Sequence, residues 1–135
     1  MLMITSAVFV SVDKVLGLDG AAFVALGFVF LFELITGVWA AHLRGETISS
    51  LKLSRFTLKV ACYLVLISAT YLMAINFKNH NKDVAGWVFD WLHVFLLTQI
   101  VLENVVSILE NLASINGKEK SEWIKKIQDK FNSIF

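Results

Sequence analysis

The chain has 135 residues, 57% of them hydrophobic, no proline, and a mean hydropathy of +0.70. That composition excludes an ordinary soluble domain of this size and fits a single domain embedded in a bilayer. A formal net charge of +1 removes any bulk attraction to nucleic acid, so the basic residues matter through their positions rather than their number.

Residues 1–19 begin apolar and are broken at Asp13-Lys14. With no Lys or Arg before Lys14 they lack the basic start of a secretory signal, and the segment is expected to stay in the mature protein. It is too interrupted to span and too apolar to float in water, so an interfacial helix is predicted, lying on the membrane surface or dipping into it. Residues 20–43 follow as the first transmembrane helix, with Glu33 and Thr36 as polar interruptions. At 1.5 Å per residue the segment is roughly 35 Å long, sufficient to cross a hydrocarbon core.

A polar connection from Arg44 to Arg55 contains Gly45 and the pair Ser49-Ser50, and residues 56–75 then form the second transmembrane helix with Lys59 near its start. The loop Asn76 to Asp83 leads into the third, residues 84–112, whose amphipathic second half is expected to protrude from the membrane. After the turn signal Asn116-Gly117, residues 118–135 place Trp123, Ile124, Ile127, Phe131 and Ile134 at helical spacing among Lys118, Lys120, Lys125, Lys126 and Lys130. That pattern predicts an amphipathic helix on an anionic leaflet. The predicted fold is an all-α integral membrane protein: a bundle of three transmembrane helices, an N-terminal interfacial helix and a C-terminal amphipathic cytoplasmic helix.

Orientation follows from the basic residues. The Arg44 to Lys59 stretch has four Lys or Arg and the tail five, against one in the N-terminal segment and two in the Asn76 to Asp83 loop. The positive-inside rule then puts the N-terminus outside and the C-terminus inside. A fourth span within residues 1–19 would require the N-terminus inside, and the charge count does not call for it. Trp87 and Trp91 near one boundary, Trp39 near the other and Trp123 in the tail read as interfacial anchors.

An ionisable residue at membrane depth costs about 2.5 to 3.5 kcal/mol on insertion scales, so Glu33 has to face another helix, water or a second subunit, or else hold its proton. Glu33, Gly37 and Ala41 recur at i, i+4 and i+8 with Thr36 beside them, giving a small, polar face that admits close helix packing. The same face suits packing within one bundle or between subunits, and both readings stand at this stage. On the third helix Gln99, Glu103, Ser107, Glu110 and Ser114 share one narrow sector, with Asn104 and Asn111 at its edge. Such a stripe has three outlets: an aqueous lumen, a neighbouring helix, or water beyond the membrane. Lys59 suits Glu110 or Glu103 as a partner, and equally suits snorkelling to lipid phosphates.

No chemistry of the catalytic kind is legible. Cys62 sits alone in an apolar run, His93 and Asp90 have no further ligand at metal-binding spacing, and no Ser or Cys is paired with a base. No cofactor and no enzyme activity are expected.

The ordered set Glu33-Leu34-Ile35-Thr36-Gly37 with Ala40, then Gly45, Ser49-Ser50 and Lys59, then Glu103 with Ser107-Ile108-Leu109-Glu110-Asn111, resembles the phage-lysis and toxin-secretion holin family over roughly residues 30 to 117. The family usually has Asp where this chain has Glu33, and a glycine within the stretch that here reads Arg55-Phe56-Thr57-Leu58. The resemblance implies a protein that gathers in the inner membrane, associates with itself among membrane lipids, and opens a lesion through which a cell-wall hydrolase or a toxin leaves. On that reading Glu33, Thr36, Gly37, Ala41, Lys59, Gln99, Glu103, Ser107, Glu110 and Asn111 carry self-association and pore formation. The rival readings are a non-lytic membrane scaffold and a narrow oligomeric ion channel.

Overall fold

The computed structural model describes residues 2–116 and 122–135, and among them every regular element is helical. Residues 118–121 of the expected tail lie outside the described residues. Five helices follow one another: α1 Leu2–Leu16, α2 Gly20–Leu43, α3 Ser50–Asn79, α4 Asp83–Ile115 and α5 Glu122–Ile134. Three of them, α2, α3 and α4, are long and apolar enough to cross a membrane.

The ends of these helices are set locally. Asp19 caps α2 by accepting a hydrogen bond from the Ala22 amide at 2.7 Å, and Ser49 caps α3 by accepting one from Lys52 at 3.3 Å. The serine cap starts α3 six residues before Phe56, because the polar stretch Leu51 to Arg55 is compatible with helix even though it is too charged for a membrane core. At the other end of α2, Gly45 adopts φ +72°; its amide bonds the His42 carbonyl and the Glu46 amide bonds that of Ala41, which closes the helix in a Schellman turn. Asn81, at φ 56°, ends α3 in the same way, with Lys82 bonded back to Phe77.

Helix α4 is the spine. Both α2 and α3 pack along it, and α1 lies against α2 and α3. The approach of α2 to α3 is carried by side chains, including the stacked rings of Phe30 and Tyr63 with centroids 6.2 Å apart. A small core of Leu16, Leu18, Leu26, Phe30, Ile67 and Ile100 fills the middle. At the end of α1, His93 Nε2 lies 2.8 Å from the Leu16 carbonyl, and Gly17 at φ +66° sits beneath the Tyr71 ring. A Cβ there would lie 2.4 Å from that ring, so only glycine gives both the backbone conformation and the space.

Sidedness is inverted relative to a soluble bundle. Phe28, Val65, Trp87 and Trp91 are each more than 60% exposed, whereas Glu33, Thr36, Thr70, His93 and Asn104 are buried. An apolar exterior around a polar interior is the arrangement a lipid solvent selects, because polar groups then find partners only within the bundle. The protein is an all-α membrane protein built on three membrane-length helices.

Candidate functional site: an ion cluster across three helices

Three charged side chains, one from each long helix, meet inside the bundle. Glu33 projects from the buried face of α2, Lys59 from the third turn of α3, and Glu103 from α4. Lys59 Nζ stands 3.0 Å from Glu33 Oε1 and 3.5 Å from Glu103 Oε1. One cation thus bridges two carboxylates on two different neighbours. Tyr63, one turn after Lys59, donates its hydroxyl to Glu103 Oε2 at 2.7 Å, and its ring centroid lies 5.6 Å from the Lys59 ammonium.

Burial is unequal within the cluster. The Glu33 side chain is 9% exposed, that of Lys59 29% and that of Glu103 50%. Glu33 is therefore the member most dependent on its partner, since an unpaired charge in a low-dielectric site is strongly unfavourable. Its second oxygen, Oε2, is buried without a hydrogen-bond partner, as are Gln99 Oε1 and Asn104 Oδ1. All three are acceptors that the described residues leave without a donor.

Farther along α2, Asn111 Nδ2 donates to Thr36 Oγ1 at 3.2 Å, while the Thr36 hydroxyl turns back to the carbonyls of Phe32 and Glu33. Gly37 and Ala41 continue this face, and Glu33, Gly37, Ala41, Phe56, Ser107 and Asn111 border a cleft of about 250 Å³ between α2, α3 and α4. Beyond α2, Arg44 donates to Ser114 Oγ at 2.9 Å and pairs with Glu46 at 2.8 Å, which also receives Lys52 at 3.2 Å. Hydrogen bonding from Arg44 first, then from Lys52, holds the Glu46 carboxyl down at about 2, and Glu46 in turn raises the Arg44 guanidinium.

The small face of α2 therefore seats α4 of the same chain, which is one of the two uses that its pattern allows. Of the two carboxylates suited to Lys59, Glu103 is the one it meets. Glu110 instead accepts a hydrogen bond from Gln128 of α5. The α4 stripe is divided among internal partners: Glu103 goes to α3, Ser114 to Arg44, Glu110 to α5, and Ser107 to the cleft. Gln99 is half-buried, with its side-chain oxygen unpartnered.

A family model described as the Bacteriophage holin family matches residues 8–133. The chain belongs to the bacteriophage holin family. No curated protein and no solved structure matches it. The holin match extends past the motif region on both sides and takes in most of α1 and α5. The holin family is not an enzyme family, and among the described residues no three His, Cys, Asp or Glu are grouped to hold a metal ion.

Two members of the cluster region are absent from the residues singled out in the sequence. Tyr63 falls unremarked within the apolar run of residues 56–75, although its spacing of four from Lys59 puts both on one face of α3. The Arg44 to Ser114 bond joins a loop to a helix end and has no periodic signal.

Proposed function

We propose that this protein is a holin of the bacterial cytoplasmic membrane, with its N-terminus outside and its C-terminus inside, and that it self-associates and forms a lesion that releases a cell-wall hydrolase or a toxin. The observation that carries the reading is the Lys59 bridge between Glu33 and Glu103, set inside a bundle whose exterior is apolar. A bundle that only anchored another protein needs no charges at depth, and ionisable groups there are costly.

The described form is the closed one. Glu33 and Asn104 are turned inward, and the apolar outside suits a dispersed protein in lipid. Opening exchanges internal partners for water or a second copy: α2 parts from α3, and the Glu33, Gln99, Glu103 and Ser107 groups line the gap. Unpartnered acceptors at Glu33, Gln99 and Asn104 favour this exchange, because water or a second chain supplies donors that the closed bundle does not. Glu33 acts in this scheme as the internal lock, and its contribution to self-association comes after the lock opens.

The test is to express the protein in a bacterium and follow membrane potential together with release of a folded cytoplasmic marker, with and without a coexpressed cell-wall hydrolase. Abrupt depolarisation followed by hydrolase-dependent lysis is the expected result. Intact potential would leave a scaffold, and depolarisation without marker release would leave a narrow ion channel.

A further inference from the structure

Among the described residues, helix α5 meets α4 along one edge. Gln128 hydrogen-bonds Glu110 on α4, and the Phe135 ring, tilted against that of Phe131, has its centroid 5.8 Å from that of Phe95, so α5 runs back beside α4 in the opposite direction. Viewed down the helix at 100° per residue, Gln128, Phe131 and Phe135 form that edge, while Ile127 and Ile134 continue the apolar face away from α4. The second edge is uncovered: Ile127 is 38% and Ile134 66% exposed. Beside it stand Lys126 and Lys130, both exposed and four residues apart.

We propose that α5 exchanges between two partners, the α4 flank on which it lies here and an anionic lipid surface. An apolar strip bordered by two ammonium groups is chemically matched to acyl chains beneath negatively charged headgroups. Lying flat at the headgroup boundary takes Phe131 and Phe135 there together with that strip, and α5 cannot hold that depth and its seat beside Phe95 in the span at once. The docked position also has a standing disadvantage, because the part of α4 between Phe95 and Glu110 is within its apolar, membrane-length stretch. There Lys126 and Lys130 would sit at depth unless water reaches them. Release of α5 uncovers Glu110 on the polar stripe of α4.

The test uses nitroxide labels on cysteines replacing Val105 and Ser133, both exposed, with Cys62→Ser as background, in lipid nanodiscs made from phosphatidylcholine with increasing phosphatidylglycerol. A short separation in pure phosphatidylcholine, giving way to a longer one as phosphatidylglycerol increases and returning at high salt, is expected. Adding Lys126→Gln and Lys130→Gln to the labelled chain should restore the docked-to-released ratio by roughly 30-fold at a fixed anionic fraction. One separation, short or long, at every lipid composition would overturn the proposal, as would a response that survives loss of both lysines. The readout is a distance within the chain, so its outcome is independent of whether the protein lyses cells.

Discussion

Lys59 Nζ lies 3.0 Å from Glu33 Oε1, joining α3 to α2 where the two helices otherwise meet through apolar rings and a cleft. The same ammonium reaches Glu103 on α4, so loss of this one side chain leaves two carboxylates without their cation. Removing one partner of a buried ion pair costs about 3 to 5 kcal/mol, less here because the Glu103 side chain is half exposed. Lys59→Met is expected to lower the thermal stability of the detergent-solubilised protein by about 2 to 3 kcal/mol. It should also advance the onset of lysis. A Glu33→Gln, Lys59→Met double variant should recover part of the lost stability, and strict additivity of the two changes would contradict the pairing.

Tyr63→Phe keeps the ring that stacks on Phe30 and deletes only the hydroxyl given to Glu103. A hydrogen bond to a charged group contributes about 1.5 to 3 kcal/mol when shielded, and the exposure of Glu103 places this one at about 1. Differential thermal melts of the two proteins measure it. An unchanged melting temperature would mean that the Glu103 contact is not made.

Gly37 offers a graded probe of the α2 to α4 seam. A Cβ at this position would lie 3.5 Å from Asn111 Nδ2, an ordinary contact, so Gly37→Ala should alter stability by less than about 0.5 kcal/mol. Gly37→Leu forces α4 away and should destabilise by about 1 to 3 kcal/mol. If this face instead met a second subunit and lay free in the monomer, Gly37→Leu would leave monomer stability unchanged and weaken association alone.

Gly17→Ala is expected to be worse than Gly37→Ala, because it adds a methyl group against the Tyr71 ring at a left-handed backbone position. The predicted cost is about 1 to 3 kcal/mol, read as faster proteolysis within α1 while α2 to α4 stay protected. Equal protection of α1 in both proteins would count against the anchoring described for Leu16 and His93.

The Arg44, Glu46 and Lys52 contacts outside the spans set a pH dependence. Glu46 titrates at about 2 in the folded protein, below the ordinary 4.5, so the contribution of its contacts is complete above 4.5 and is lost as pH falls through about 2. A carboxyl resonance of Glu46 that titrated near 4.5 would show these contacts to be absent in solution.

The three long helices were legible because twenty-residue apolar runs have few alternatives, and Glu33 stood out because a charge in such a run demands a partner. Lys59 was paired with two candidates, Glu103 and Glu110, since both lie toward the same end of α4. The two share one face of α4 about two turns apart, so choosing between them depends on how far α4 is shifted along its axis relative to α3, which periodicity within one helix does not set. The start of α3 at Ser50 was missed because hydropathy marks the membrane boundary, whereas the Ser49 cap marks the helix boundary, and the two differ where a helix emerges into water. The return of α5 along α4 depends on contacts between distant residues and left no trace in composition.

With α4 as common neighbour, α2 and α3 resemble two covers hinged on one spine, and parting them leaves both seams along α4 in place. What resists parting is the Lys59 to Glu33 pair, the Phe30 to Tyr63 ring contact, the small core between the helices and the contacts of α1 with both. The waiting time before such an event grows about tenfold for each 1.4 kcal/mol added to the barrier. A chain built this way can have its delay reset by large factors through single substitutions at Glu33, Lys59 or Tyr63, the side chains that join α2 to α3.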